Sequence, residues 1–391
     1  MSKNYTPGRH FLQLPGPSNI PDRVLRAMDY PTIDHRGPEF SELALECFKG
    51  IRQVFKTKNN VVIYPASGTG AWEAALVNCL KEDDLVLMVE TGHFASLWKK
   101  MANKIGLKTE ILQTDWRRGA NPNLIEERLL LDKENKIKAV CVVHNETSTG
   151  STSNIREIRE VLDNLNHDAL LIVDTISGLA SINYEHDAWG VDITISGSQK
   201  GLMLPPGLSF NAISEKAISI SKKSGMKRSY WDWAEQIMMN NNGYFPYTPA
   251  TNLLYGLKES LKMLNEEGLE NVFKRHDRLA KATRIAVQAW GLEILCLEEK
   301  HYSSVLTAVL VPEKHNADEL RRIILENFNM SLGNGLSKLQ GKVFRIGHLG
   351  DFNDLMLLGT LNGIEMGLSI SNIPFQKGGV EKASQFLKES L

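Results

Sequence analysis

The chain has 391 residues, 42% hydrophobic and 23% charged, a globular balance in a length that calls for about two domains. A formal net charge of −1 argues against a nucleic-acid-binding face, which shows as a basic excess. The first eight residues lack the apolar core of a secretory signal, and nowhere is there a run of about 18 apolar residues to cross a membrane. Cys47, Cys79, Cys141 and Cys296 each sit in apolar surroundings with no paired spacing, which predicts buried reduced thiols and argues against a zinc site. A soluble protein of a reducing compartment, the cytoplasm, is expected. Glu389 stands where a peroxisomal address would want a basic residue.

Residues 7–21 carry Pro7, Gly8, Pro15, Gly16, Pro17 and Pro21, so they cannot form regular helix or a central strand. They read as an extended arm over residues 1–21. Pro38 opens a helix to about Lys56, with Leu43, Cys47, Phe48, Ile51, Val54 and Phe55 recurring at helical spacing. A strand at 60–64, the turn Ser67-Gly68-Thr69-Gly70 and a helix at 71–80 follow. Strands at 85–89, 107–112, 137–144 and 169–174 then alternate with helices at 95–105, 124–131 and 155–165. Near-continuously apolar strands in such alternation predict a mostly parallel sheet with helices on both faces. After another strand-like run at 191–195 the rhythm breaks near residue 205 into charged, aromatic and Pro-rich loops. Helical patterns cover about 251–265 and 269–290. Strands at 305–311 and 343–346, with helices at 317–327 and 381–389, complete a smaller α+β unit. The expected division is a large unit over 22–265 and a small C-terminal unit over 266–391.

The chemistry concentrates at strand ends. Asp174 closes one apolar run, and Lys200 follows the next in Ser196-Gly197-Ser198-Gln199-Lys200-Gly201. A pyridoxal phosphate enzyme needs such a pair, the lysine to form a Schiff base and the carboxylate to hold the ring nitrogen protonated. The plainer alternative is a solvated lysine and a turn aspartate. Ser67-Gly68-Thr69-Gly70, between strand and helix, suits a phosphate at a helix start, or is an ordinary capped turn. A dinucleotide fingerprint fails, because Glu73 stands where the third glycine is required. His144-Asn145-Glu146-Thr147-Ser148-Thr149-Gly150 follows a buried-type strand, so this loop should meet those of Asp174 and Lys200 at one sheet edge. Arg345, flanked by Phe344 and Ile346, suits bidentate binding of a carboxylate, or else an internal salt bridge.

Together with Pro15-Gly16-Pro17-Ser18-Asn19-Ile20-Pro21 and Phe344-Arg345-Ile346-Gly347, these segments resemble the class V aminotransferases, in the serine–glyoxylate and alanine–glyoxylate group. The resemblance spans about residues 14–368. It implies the fold type I architecture of pyridoxal phosphate-dependent transferases. It also implies pyridoxal 5′-phosphate as cofactor and amino-acid and 2-keto-acid substrates. Lys200 would be the Schiff-base lysine and general base, and Asp174 the partner of the pyridine nitrogen. Ser67, Gly68 and Thr69 would cradle the phosphate, with Gln199 beside them. Phe94 would stack on the ring, where several members carry Trp, and Ile176 would pack on the opposite face. Thr147 would bind the ring hydroxyl, and Arg345 the substrate α-carboxylate. Tyr247 and Thr248, in Phe245-Pro246-Tyr247-Thr248-Pro249, match the loop with which a neighbouring subunit completes the phosphate site, implying a homodimer with shared active sites.

The segments Asp34-His35-Arg36-Gly37-Pro38 and Asp115-Trp116-Arg117-Arg118-Gly119 resemble the bacterial serine–glyoxylate enzymes more than the animal alanine enzymes. L-Serine is therefore the expected donor and glyoxylate the acceptor, with aspartate–glyoxylate and alanine–glyoxylate exchange as the alternatives. His35 and Arg36 are candidate substrate contacts, reading either a hydroxyl or a second carboxylate; they could equally be salt-bridging residues of a helix-entry loop. A cysteine desulfurase would need a reactive cysteine on a polar mobile loop, and none of the four lies in one.

Overall fold

The computed structural model describes residues 7–391, so the first six residues of the predicted arm lie outside it. Seven strands form the larger sheet, in the order Asn60–Tyr64, Ser209–Ile213, Ile193–Gly197, Leu170–Asp174, Ile137–Val143, Leu85–Glu90, Lys108–Gln113. Ser209–Ile213 runs antiparallel to both neighbours, and the other pairings are parallel. Two antiparallel steps return Asn60–Tyr64 to the common direction. Consequently the chain leaves Tyr64, Glu90, Val143, Asp174 and Gly197 at the same edge of the sheet.

Both faces of this sheet are buried, and the period of two is visible in the packing. Val61, Ile63, Leu87, Val89, Val140 and Val142 enter one core, with the Pro38–Phe55 helix. Val62, Tyr64, Val86, Met88, Ala139 and Cys141 enter the other, with the Gly68–Cys79 and His93–Lys104 helices. A second sheet of five strands is ordered Phe11–Gln13, Met330–Asn334, Val343–Gly347, Leu306–Leu310, Glu293–Ile294 and has its own core. The arm thus supplies an edge strand to the second sheet, through parallel pairing of Phe11–Gln13 with Met330–Leu332.

Among the elements that depart from the sequence reading, which include the helices Asp22–Met28, Glu215–Ser221 and Trp233–Asn240, three belong to the sheets or their cores. Ser209–Ile213 is a buried strand where loops were expected; Ser209 and Asn211 alternate with Phe210 and Ala212 and obscure the apolar run. Met330–Asn334, broken by a serine and a glycine, pairs beside the Arg345 strand. Asp354–Ile370 is a helix with no polar stripe to betray it. Its Gly363 and Gly367 lie so close to Met330 and Ile324 that a Cβ would stand 2.7 and 2.3 Å from their side chains. All four cysteines are free and buried, and no helix among the described residues is long and apolar enough to cross a membrane.

Candidate active site

The loops leaving the common edge enclose a cavity of about 300 Å3. Ser67, Gly68, Thr69, Phe94, Thr147, Asp174, Ile176, Gln199 and Lys200 all line it. A larger hollow of about 450 Å3 lies along the arm between Arg9 and Arg23, but none of the titratable groups lining it is buried.

Lys200 follows Ile193–Gly197 and is 9% exposed. Its Nζ donates to the carbonyl of Pro15 at 2.6 Å, and its own carbonyl accepts from Ser18 Oγ at 2.8 Å. The Pro-Gly-Pro arm is thereby laid directly over the lysine. Gly16 has φ +106°, and a Cβ there would lie 2.2 Å from Nζ, so this crossing requires glycine twice over. Burial, reinforced by the Arg345 cation and opposed by Asp174, pulls the lysine pKa down to about 8.

Asp174 ends its strand with both oxygens engaged. Oδ1 accepts the Ile176 N–H at 2.6 Å and Oδ2 the indole N–H of Trp72 at 2.9 Å. Burial nevertheless pushes its pKa up to about 7, against those two donors. Glu146 adds to that rise, and the Lys200 cation opposes it.

At the opposite end, Ser67 stands before the Gly68–Cys79 helix and its side chain makes no capping bond. Ser67, Gly68 and Thr69 line the cavity, and Gly70 N–H donates to the Ser67 carbonyl instead of to its hydroxyl. Gly68 allows Ile176 to close in, since a Cβ would lie 2.4 Å from Ile176 Cδ1. Gln199 Oε1 is buried without a partner. A helix start without a side-chain cap, the apolar side chains of Phe94 and Ile176, a buried carboxylate and a buried amine line one cavity and together suit pyridoxal phosphate. Ser67, Gly68 and Thr69 would hold its phosphate, Asp174 its ring nitrogen and Lys200 its carbonyl carbon.

Arg345 is 7% exposed in Val343–Gly347 and makes no salt bridge among the described residues, so the internal ion pair is not found. Nε donates to the carbonyl of Asn334 and Nη1 to that of Thr147, each at 2.7 Å. Gly333, opposite in register, makes room for the side chain, for a Cβ there would crowd Arg345 at 2.9 Å. Burial lowers the guanidinium pKa to about 10, offset in part by Glu146. Arg345 is thus a buried cation held by neutral carbonyls, one of them that of the cavity residue Thr147. Glu146 itself is buried and accepts from Ser148 and from the N–H groups of Phe94 and Ala95, which fixes the start of the helix carrying Phe94.

Five predicted residues are not among those lining this cavity in a single chain: Arg345, which reaches it through the Thr147 carbonyl, and Tyr247, Thr248, His35 and Arg36. Tyr247 stacks on Tyr230 at 4.8 Å and hydrogen-bonds Ser229, while Thr248 is exposed. His35 is half-buried with Nε2 unpartnered, and Arg36 is exposed, its N–H bonded to Asp34 Oδ1. Conversely, Trp72, Asn145 and Ser177 line the cavity unpredicted. Asn145 Nδ2 donates to Ser177 Oγ at 2.8 Å. Asn145 falls within the loop that drew attention, and Ser177 beside Ile176; nothing in the spacing of Trp72 marks it.

The family model for aminotransferase class V matches residues 10–342. The chain belongs to the class V aminotransferases. Pyridoxal 5′-phosphate is the cofactor of this family, and the fold is that of its fold type I members. A serine–glyoxylate aminotransferase of Methylorubrum extorquens is 47% identical over 100% of this chain and 99% of its own length. An L-aspartate–glyoxylate aminotransferase of Paracoccus denitrificans is 40% identical over 96% of each. Among solved structures, an alanine–glyoxylate aminotransferase of Nostoc sp. superposes with a TM-score of 0.87 at 28% identity, covering 94% of this chain and 97% of that one.

Proposed function

We propose that this class V aminotransferase moves the amino group of L-serine to glyoxylate, yielding hydroxypyruvate and glycine, with Lys200 as the residue that holds the cofactor covalently. The single observation that carries the chemistry is the cavity in which a buried amine and a buried carboxylate face each other without a salt bridge between them. When bound, pyridoxal phosphate supplies a protonated pyridine ring that takes up the electron pair left at the substrate α-carbon. Lys200, with its pKa near 8, has a free-amine fraction at neutral pH and can take the α-proton and return it one position away. Asp174 stays ionised against the ring nitrogen. Arg345 presents its fork to the α-carboxylate, orienting the α-hydrogen toward Lys200.

Serine is favoured as donor by the 47% identity to the Methylorubrum enzyme over the full chain. The relative named for aspartate, at 40%, supports the second reading, in which Arg36 takes a side-chain carboxylate. Tyr247 and Thr248 lie outside their own chain's cavity, which supports a homodimer in which each subunit lends this loop to the other's phosphate site. The test is product analysis with purified protein, glyoxylate and each of serine, alanine and aspartate. Hydroxypyruvate and glycine in equal amounts from serine, at the highest kcat/KM of the three, are expected. Oxaloacetate from aspartate at a higher kcat/KM would replace serine as the donor.

A further inference from the structure

Trp72 fills a place that packing alone does not explain. It lies on the Gly68–Cys79 helix, whose first residues form the phosphate end of the cavity, and it is 1% exposed. Its ring lies nearly parallel to that of Trp98, with centroids 5.6 Å apart and planes at 13°, and Trp98 belongs to the helix that carries Phe94. A phenylalanine would fill much of this slot. What it would not supply is the N–H aimed at Asp174 Oδ2 at 2.9 Å. Trp98 stands in contrast, since its own indole nitrogen is buried without a partner. Only one member of the stacked pair has its donor matched to an acceptor, and that acceptor is the buried carboxylate of the site.

We infer that Trp72 is a positioning residue that keeps Asp174 ionised and turned toward the cofactor's ring nitrogen. The inference rests on the reading of Asp174 as partner of that nitrogen. An indole N–H donates and never accepts, so it bonds favourably to a carboxylate anion and cannot itself take the proton away. The other donor on Asp174, the Ile176 N–H, belongs to the backbone and is the same whatever the side chains are. Trp72 is therefore the adjustable member of the clamp. The remaining ionisable groups around Asp174 do not substitute for it. Glu146 opposes its ionisation, Tyr184 is buried and neutral, His144 is held neutral by burial, and Lys200 favours it but spends its hydrogen bond on the Pro15 carbonyl. The indole also fixes direction. With Oδ1 and Oδ2 each tied to a donor on the protein, the carboxylate cannot rotate, and its remaining lone pairs face the cavity.

The test compares two ligands on cofactor-free protein: pyridoxal phosphate, and its 1-deaza analogue, in which carbon replaces the ring nitrogen. Trp72→Phe is expected to weaken pyridoxal phosphate about tenfold, the scale of one hydrogen bond to a charged group, and to leave the analogue within about twofold. Asp174→Asn should weaken pyridoxal phosphate at least as much, and the double variant should lose little more than Asp174→Asn alone. Incorporation at position 72 of 3-benzothienyl-alanine, with sulfur in place of the indole N–H, keeps the ring stack and should reproduce the Trp72→Phe result. Equal losses for both ligands in Trp72→Phe, or an unaltered cofactor affinity in the benzothienyl variant, would reduce Trp72 to packing and leave the role of Asp174 standing. Wild-type affinity and turnover in Asp174→Asn would instead remove the reading on which the inference depends.

Discussion

Replacing Lys200 by Met should abolish turnover and make the cofactor-free protein more stable at neutral pH. Burial takes the lysine from its ordinary pKa of 10.5 to about 8. In the unfolded chain the amine binds its proton up to the higher value, whereas in the folded chain it releases it from the lower one. Between the two the unfolded state holds more protons, so wild-type stability rises with pH across that window, and below it the full cost of the buried charge is present. The displacement corresponds to about 3 kcal/mol of destabilisation at pH 7, at about 1.4 kcal/mol per pH unit. The variant also loses the bond from Nζ to the Pro15 carbonyl, which offsets about 1–2 kcal/mol of that gain. A net stabilisation of about 1–2 kcal/mol at pH 7 remains. Met fills nearly the same volume with no charge, which keeps the arm's packing comparable. The assay is urea unfolding of both cofactor-free proteins at equal concentration, at pH 7 and pH 9. The variant's advantage should shrink by about 1 kcal/mol between the two, because the wild-type lysine has largely discharged by pH 9. A variant less stable than wild type at pH 7, or an advantage that grows with pH, would refute the argument that Lys200 is held with a depressed pKa.

Arg345→Gln removes the cation and its fork but leaves the cavity floor. It should lower kcat/KM for the amino donor by roughly a hundredfold, mainly through KM, while the absorbance of the cofactor-loaded protein is unchanged. Gly68→Ala drives a methyl to within 2.4 Å of Ile176 Cδ1 and should weaken cofactor binding about tenfold or more. Adding Ile176→Ala to it should recover most of the loss, and a double variant as weak as Gly68→Ala would show that the clash is not the cause. The proposed sharing of active sites makes a mixing prediction. Refolding inactive Lys200→Ala together with an inactive Tyr247→Ala/Thr248→Ala variant should return about a quarter of wild-type activity, because half the dimers are hybrids with one intact site. No recovery would mean that each chain uses its own Tyr247 and Thr248.

Much of this site could be read from the chain because the fold converts polarity changes into positions. Strands buried on both faces are apolar along their length, so the first polar residue after each marks the sheet edge, and Asp174, His144 and the Lys200 turn all stand there. Once the strands are parallel, the edge is shared and the residues must meet. Arg345 stood out for a related reason, a charge inside an apolar strand. The strand Ser209–Ile213 escaped because Asn211, buried and donating to the Ala71 carbonyl, interrupts the pattern with a polar residue satisfied by tertiary contact. The Asp354–Ile370 helix escaped because Gly363 and Gly367 serve close packing rather than a turn. Trp72 escaped for a third reason: an indole in an apolar helix has no distinguishing neighbour in sequence, and its meaning lies in a hydrogen bond to a residue 102 positions away.

The claim at the centre of this account is tested most directly by mixing the pyridoxal phosphate-loaded protein with a single amino acid and no keto acid, and following the cofactor's absorbance through one turnover. L-Serine, L-alanine and L-aspartate are compared separately. Rapid and complete conversion to the amine form of the cofactor is expected with serine, reversed on adding glyoxylate, and slower conversion with the other two. Conversion with aspartate alone would contradict the donor assignment, and no conversion with any of the three would contradict the roles given to Lys200, Asp174 and Arg345 together.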